Sequence, residues 1–452
     1  MQKRYDVIVI GAGSGLTISS YAAEHGMSVA IVEQGPFGGT CLNRGCIPSK
    51  MLIHSADVAE EIKHANIFGI KAKITGIEWK KLVSRVNNFV GKDAWEIEKA
   101  NRKEKNVTVY KAQAKFIGRK TLEAGKDTIT ADKIFICAGA RPSIPPIPGL
   151  QDVDFITSDE ALRLKKQPKE LVIIGGGYIA AELAHFFGAL GTKVTIIQRG
   201  NLLMNNEDSE IAQRFTEVYK RKFNVILNAN TRQVYKKGRK IAVDLDVGGK
   251  RKTVAGDALL VATGRVPNTD VLNVKAAGVE VNERGFIKVN EYLETSVPGI
   301  WAIGDIAGIY MFKHSANLEA EYAVQNAFDK KTAVDYYAMP HAAFSSPQVA
   351  AVGKTEDELK QQKIPYLKAV YDFKNTGYGK AIEDNDGFVK VLVSPTKEIL
   401  GCHIIGTDAS ILIHEVIVAM KARLGAEGIT KAVHIHPALS EVVQRAFSQF
   451  QQ

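Results

Sequence analysis

Two stretches of this chain place a run of glycines between an apolar strand-like segment and a helix-like one, and no other feature restricts the fold so tightly. The first reads YDVIVIGAGSG and leads through a helix-like stretch, to about His25, into MSVAIVE. The second reads ELVIIGGGYIAAELAHFFGALGTKVTIIQRG. Strand, glycine turn, helix and second strand form the βαβ unit in which a dinucleotide fingerprint has physical meaning. Gly11 permits the tight turn, Gly13 lets backbone N–H groups approach a pyrophosphate, and Gly15 completes the GAGSG turn. Leu16 stands at the third fingerprint position, which weakens the case for close helix–strand packing there. Glu33, 22 residues after Gly11, is placed to accept hydrogen bonds from a ribose 2′-hydroxyl. In the second unit Gly175 and Gly177 fill the first two positions and Ala180 the third. Each unit is followed by another short strand and turn, FICAGARP and LLVATGRVPN. The expected fold is α/β, with two nested Rossmann-like domains. Residues 1–150 and 151–265 form them, and 266–335 are a central segment that completes the first. Beyond about residue 335, strand-like AAFSSPQVAAVG, GFVKVLVS and EILGCHIIG alternate with helix-like segments, one from about Ala409 to Arg423. Residues 336–452 are therefore expected to form a separate α+β domain.

Composition narrows the function classes. The longest apolar runs, such as VIVI and ALLVA, are strand-sized and too short to span a bilayer. The first strand begins within about five residues of Met1. No membrane association and a cytoplasmic location are expected. The net charge of +10 comes from scattered lysines without a nucleic-acid motif, so it reads as a solvated surface rather than a nucleic-acid footprint. Four cysteines in 452 residues do not make a disulfide scaffold. Cys137 and Cys402 lie in apolar strand contexts and read as core residues.

Cys41 and Cys46 are different. They sit in GGTCLNRGCIPSK with four residues between them, close behind the first fingerprint. In a regular helix their Cα atoms would lie roughly 8–9 Å apart, too far for a disulfide, so the pair needs a loosened turn. Gly45 lies inside it. The following PSKMLIHSADVAEEI fits a helix, whose N-terminal dipole favours a thiolate at Cys46. A close cysteine pair in a reducing compartment is catalytic, redox-sensing or metal-binding. Zinc would want two more ligands nearby, and no metal site is expected.

GGTCLNRGCIPSK, the two fingerprints and the C-terminal HIHPALSE together resemble the flavoprotein pyridine nucleotide-disulfide oxidoreductases over essentially the whole chain. The resemblance implies FAD at the first fingerprint and NADP(H) or NAD(H) at the second. It implies that Cys41 is the interchange thiol and Cys46 the charge-transfer thiol. Lys50 resembles the lysine near the flavin, Glu182 its ion-pair partner, and Tyr178 the aromatic lid over the nicotinamide pocket. Asp305, in AIGD, resembles the aspartate that binds the ribityl chain, and Arg265, in ATGRVPN, belongs to the same cofactor-binding set. The resemblance also implies a homodimer in which His436 of the partner subunit acts as thiol base. Glu441 orients that histidine, and His434 has no assigned chemistry. A base near neutral pH suits thiol–disulfide exchange.

Cofactor and substrate are argued from finer wording. At the end of the second βαβ unit the acid expected of an NAD site is replaced by Gln198 and Arg199. An arginine there can pair with the 2′-phosphate of NADP, so NADPH is favoured. A second arginine frequent in NADPH-using members is Asn205 here. Tyr21 occupies the place of a substrate-binding arginine of glutathione reductases, and there is no vicinal cysteine pair at the C-terminus as in mercuric reductase. IAAELAHFF, FKHSAN and YGKAIED are similar to mycothione reductases. The lysine-rich composition argues against mycothiol itself. The reading is a mycothione-reductase-like reductase of a small or lipoyl disulfide, with NAD-dependent dihydrolipoamide dehydrogenase as the alternative.

Overall fold

The computed structural model describes residues 2–451. The chain folds as two compact units. The first comprises the residues up to Met51, Lys80–Ser143 and Gly264–Asp335; the second comprises Leu52–Trp79, Ile144–Thr263 and the residues from Tyr336 on.

In the first unit, strand Gln2–Ile10 pairs in parallel with Val29–Val32 on one side and Asp127–Ile136 on the other. Residues 7–10 are buried on both faces, which is why they read as an unbroken apolar run rather than an alternation. The pleat sends Val7 and Val9 into a core with Ile18 and Ala22 of helix Gly15–Glu24. Ile8 and Ile10 face a second core with Phe116, Ile134 and Val274. Strand Val107–Tyr110 extends the sheet beyond Val29–Val32, and Ile300–Ala302 adds to Asp127–Ile136 in parallel. Thr121–Ala124 and Ala114–Gly118 complete this seven-stranded sheet as an antiparallel edge.

The second unit holds three sheets. A parallel one runs in the order Asn224–Ile226, Lys193–Ile197, Glu170–Ile174, Ala258–Val261. An antiparallel three-stranded sheet spans Ala229–Lys237, Lys240–Val247 and Lys250–Gly256. The C-terminal region forms a five-stranded antiparallel sheet, Pro340–Ala343, Gln348–Gly353, Ile399–Gly406, Phe388–Val393, Leu367–Asp372. Helix Ala409–Lys421 packs on it through Leu412, Ile413 and Val416. It ends two residues before the expected Arg423, which adopts the left-handed conformation at φ +55°.

Both fingerprints turn in the same way. The backbone takes φ +102° at Gly11 and +126° at Gly175. A Cβ would stand 2.4 Å from the carbonyl oxygen of Cys137 at the first and 2.2 Å from that of Ala262 at the second. Each carbonyl follows the last residue of the strand that runs beside the fingerprint strand, Asp127–Ile136 or Ala258–Val261. No residue but glycine fits there. The close helix–strand packing that Leu16 was expected to weaken is achieved at Gly15, where a Cβ would meet Val9 Cγ1 at 2.8 Å and Cys137 Sγ at 2.9 Å. The contact has moved one residue along rather than been lost.

Candidate active site

The first unit carries the dithiol. Cys41 lies in the short helix Gly39–Arg44, and a new helix, Cys46–His64, begins at Cys46. Gly45, at φ −139° and ψ −115°, breaks the two apart, which is the loosening the spacing required. The buried Asn43 holds the preceding turn, its Nδ2 donating to the carbonyls of Phe37 (2.8 Å) and Gly39 (3.0 Å). Ser49 N–H donates to the Gly45 carbonyl at 3.0 Å. Neither cysteine is in a disulfide, both are half-buried, and their thiols are within hydrogen-bonding reach of one another. The hydrogen bond to Cys46 pushes the Cys41 thiol far above its ordinary range, burial adds to this, and the Lys313 ammonium pulls the other way. Two thiolates side by side repel, so the pair retains a proton. Lys50 lies one turn beyond Cys46 on the same helix, half-buried.

The fingerprint turn of this unit is built around Glu33. Its carboxylate accepts from Ala12 N–H at 2.9 Å and Gly35 N–H at 2.6 Å. Around the position of a Cβ on Gly13 only the Cα of Gly39 comes within 4 Å, at 3.6 Å. Asp305 sits in the turn Gly304–Ile306, where burial pushes its carboxyl up and the charge of Arg265 pulls it down. Arg265 Nε lies 3.5 Å from Asp305 Oδ2, and its Nη2 donates to the Ala140 carbonyl at 2.5 Å. Among the described residues that buried Nε has no hydrogen-bond partner. The fully buried Glu319 accepts from Gly304 N–H at 2.5 Å and so fixes the turn that carries Asp305.

The second unit carries the second fingerprint. Helix Tyr178–Ala189 starts directly after Gly177, around which nothing lies within 4 Å of a Cβ position. The Tyr178 hydroxyl donates to the carboxylate of buried Glu207, whose other oxygen lies 3.1 Å from His341 Nε2. Burial and the Glu207 charge push the Tyr178 phenol far up, so it stays a hydrogen-bond donor. Glu182 accepts from Phe344 N–H at 3.0 Å. Arg199, just past strand Lys193–Ile197, is exposed, and its guanidinium has no partner among the described residues.

The HIHPALSE segment lies in the same unit. His436 Nδ1 is 3.0 Å from Glu441 Oε1, and the other carboxylate oxygen of Glu441 accepts from Ala438 N–H at 3.2 Å. The His436 side chain is 75% exposed. The hydrogen bond from His436 holds the Glu441 carboxyl below its usual range. His434 points elsewhere, pairing with Glu415 at 2.9 Å. Val433 and Ile435 are 99% and 78% exposed.

Sequence reasoning missed Lys313, Glu319, Glu207 and His341. FKHSAN carries a signal for Lys313, a lysine in the segment after AIGD, but in the sequence alone it marks only lineage.

A family model described as pyridine nucleotide-disulphide oxidoreductase matches residues 5–320, and the dimerisation domain of the same family matches residues 339–447. The chain belongs to the pyridine nucleotide-disulphide oxidoreductase family. It is accordingly an enzyme of thiol–disulfide redox chemistry, of a class that binds FAD and uses NAD(P)H as electron donor. It is 40% identical to mycothione reductase of Mycobacterium tuberculosis over 459 residues, covering 98% of each chain. It is 35% identical to dihydrolipoyl dehydrogenase of Cupriavidus necator over 467 residues, covering 99% of this chain and 98% of that one. The Cu(II) complex of the HOCl-induced flavoprotein disulfide reductase RclA from Escherichia coli superposes with a TM-score of 0.89 at 29% identity, covering 99% of each chain. No helix among the described residues is long and apolar enough to cross a membrane.

Proposed function

We propose that the protein is an NADPH-dependent reductase of a low-molecular-weight disulfide, similar in kind to mycothione reductase and working as a homodimer. The observation that carries this reading is the pair of hydrogen-bonded thiols, Cys41 and Cys46, at a break between two helices.

FAD is assigned to the first unit. Its support is the open face of Gly13, the tethered carboxylate of Glu33, the half-buried Asp305 and the unsatisfied Nε of Arg265, a set suited to a pyrophosphate, a ribose and a ribityl chain. Lys50 is assigned to the flavin edge. The dinucleotide is assigned to Gly175 and Gly177, with Tyr178 as its lid and the free guanidinium of Arg199 for a 2′-phosphate. When bound, these cofactors supply two-electron hydride chemistry; the rest belongs to the chain. Cys41 gives its proton to His436 of the partner subunit as its sulfur attacks one sulfur of the substrate disulfide, and the first product thiol leaves with that proton. The Cys46 thiolate then attacks Cys41 Sγ. This restores the Cys41–Cys46 disulfide and releases the second product as a thiolate, which takes its proton from water. Glu441 holds the imidazole in one tautomer and orientation, as a carboxylate does in a hydrolase triad.

Dihydrolipoyl dehydrogenase is the second reading, favoured by Asn205 in place of a second arginine and by the 35% identity to such an enzyme. Anaerobic rapid mixing of the holoenzyme with NADPH and with NADH decides between them. A strong NADPH preference is expected. A strong NADH preference, with faster turnover of dihydrolipoamide than of small disulfides, would overturn the first reading in favour of the second.

A further inference from the structure

Lys313 is the first residue of helix Lys313–Phe328, a place where the helix dipole disfavours a cation, and no acidic residue stands in that first turn. A lysine that breaks a local rule there calls for a compensating anion. Its position is fixed: Nζ donates to Ser14 Oγ at 2.8 Å, and Ser14 Oγ in turn donates to Asn317 Oδ1 at 2.9 Å, one turn further along the same helix. Ser14 adjoins Gly13, and a Cβ on Gly39, where the Cys41 helix begins, would stand 2.8 Å from Gly13 Cα. The serine that anchors the ammonium and the helix that carries the thiol therefore meet at one turn. The charges of Cys41 and Cys46 both act on Lys313, and those of Cys46 and Lys313 act on Cys41. Burial alone pushes the Lys313 ammonium below its ordinary range, and the two sulfurs draw it back.

We propose that Lys313 is a positioning residue for the redox pair, the fixed counter-ion that lets the reduced Cys41–Cys46 dithiol carry one negative charge. The inference rests on the relay proposed above. Two electrons and one proton convert the disulfide to one thiol and one thiolate. The ammonium keeps its protons throughout, and its charge balances the thiolate. A neutral side chain at this position leaves that thiolate half-buried and unpaired, so the second proton is taken up at higher pH.

The test is the pH profile of iodoacetamide alkylation of the two thiols, located by mass spectrometry, in holoenzyme reduced anaerobically with NADPH or NADH. Lys313→Gln is expected to raise the half-point of the profile by about one unit, making alkylation roughly tenfold slower at a fixed pH below it. Lys313→Arg is expected to restore most of the wild-type profile. A Lys313→Arg profile displaced as far as that of Lys313→Gln would assign the effect to packing and overturn the proposal. Asn317→Asp, at an exposed position, puts a carboxylate on the same hydrogen-bond chain and is expected to move the profile in the same direction by less. An unchanged profile in Lys313→Gln, or in Asn317→Asp should the first variant not fold, also overturns it. Failure of the relay itself looks different: reduced wild-type holoenzyme would then gain no alkylatable thiol over the oxidised form.

Discussion

His436 is held by Glu441 on one ring nitrogen and is largely exposed, which suits the thiol base proposed above. The carboxylate acts through the imidazole rather than on a substrate. Glu441→Gln keeps the shape but offers an amide where a charge stabilised the protonated ring. Disulfide turnover is expected to fall about tenfold or more, while electron transfer from NADPH to an artificial dye stays near wild type. Equal losses in both assays would remove Glu441 from the thiol half of the cycle. The Glu441 carboxyl titrates below its usual range because it accepts from His436, so its orienting charge is present above that range and lost as pH falls through the depressed value. The acid limb of the pH–rate profile is therefore expected to change shape in the variant. At this scale Cys41, Cys46 and the His436–Glu441 pair were legible because each lies within a short string whose spacing carries the chemistry. Lys313 was not, because Ser14, which anchors it, is brought to it by the fold from the far end of the chain.

The elements divide between those dictated by local chemistry and those dictated by distant contacts. The fingerprint turns belong to the first kind, since glycine with positive φ against a strand-end carbonyl is demanded by the turn itself. Gly175→Ala would put a Cβ 2.2 Å from the Ala262 carbonyl oxygen. It is expected to cost about 1–3 kcal/mol in strain and to abolish dinucleotide binding while bound FAD is retained. Absorbance of the purified flavoprotein and dinucleotide titration check both, and co-loss of FAD would count against two separate sites. Strand Phe388–Val393 belongs to the second kind. In GFVKVLVS its lysine reads as one of many solvated charges, yet Lys390 is 0% exposed and bonded to Asp208 (2.8 Å), Glu210 (3.0 Å) and Glu356 (2.6 Å). Asp208 is 182 residues away in sequence, which is why no local pattern announces the cluster. Burial works against the charges here, but hydrogen bonds from Lys390, Lys360 and Tyr366 hold the Glu356 carboxyl far below its usual range. Burial likewise opposes the Lys390 ammonium, and its carboxylate partners raise it above its usual range. The stabilisation is thus complete between roughly pH 5 and pH 10, lost on the acid side through the depressed carboxyls and on the alkaline side through the raised lysine. Lys390→Met leaves buried carboxylates without their cation. A loss of about 3–5 kcal/mol in denaturant unfolding is expected, with acid unfolding moved to higher pH. An unshifted acid midpoint would show that the cluster does not govern acid stability.

The molecule as a whole repeats one solution, a glycine turn feeding a helix beside a parallel strand, and adds a C-terminal region matched to a dimerisation domain. The repeat was legible because each copy is local. The meeting of base and thiol proposed above was not legible from spacing, since no distance along one chain describes a site shared by two copies. Val433 and Ile435 flank the histidines of HIHPALSE and are almost wholly exposed, although apolar side chains gain most from leaving water. In the homodimer proposed above, a second copy of this chain covers them and brings His436 of the partner subunit to Cys41, and that proposal has a sharp consequence. Cys46→Ser and His436→Gln are each expected to be inactive alone in disulfide reduction. In a heterodimer of the two, one site combines the intact cysteines of the His436→Gln copy with the intact histidine of the Cys46→Ser copy, while the other site lacks both. Co-expressing them with different affinity tags and isolating the mixed species should therefore recover about half of the wild-type rate per dimer, against almost none for either parent. If each copy used its own histidine, both sites of the heterodimer would be defective and no rate would return.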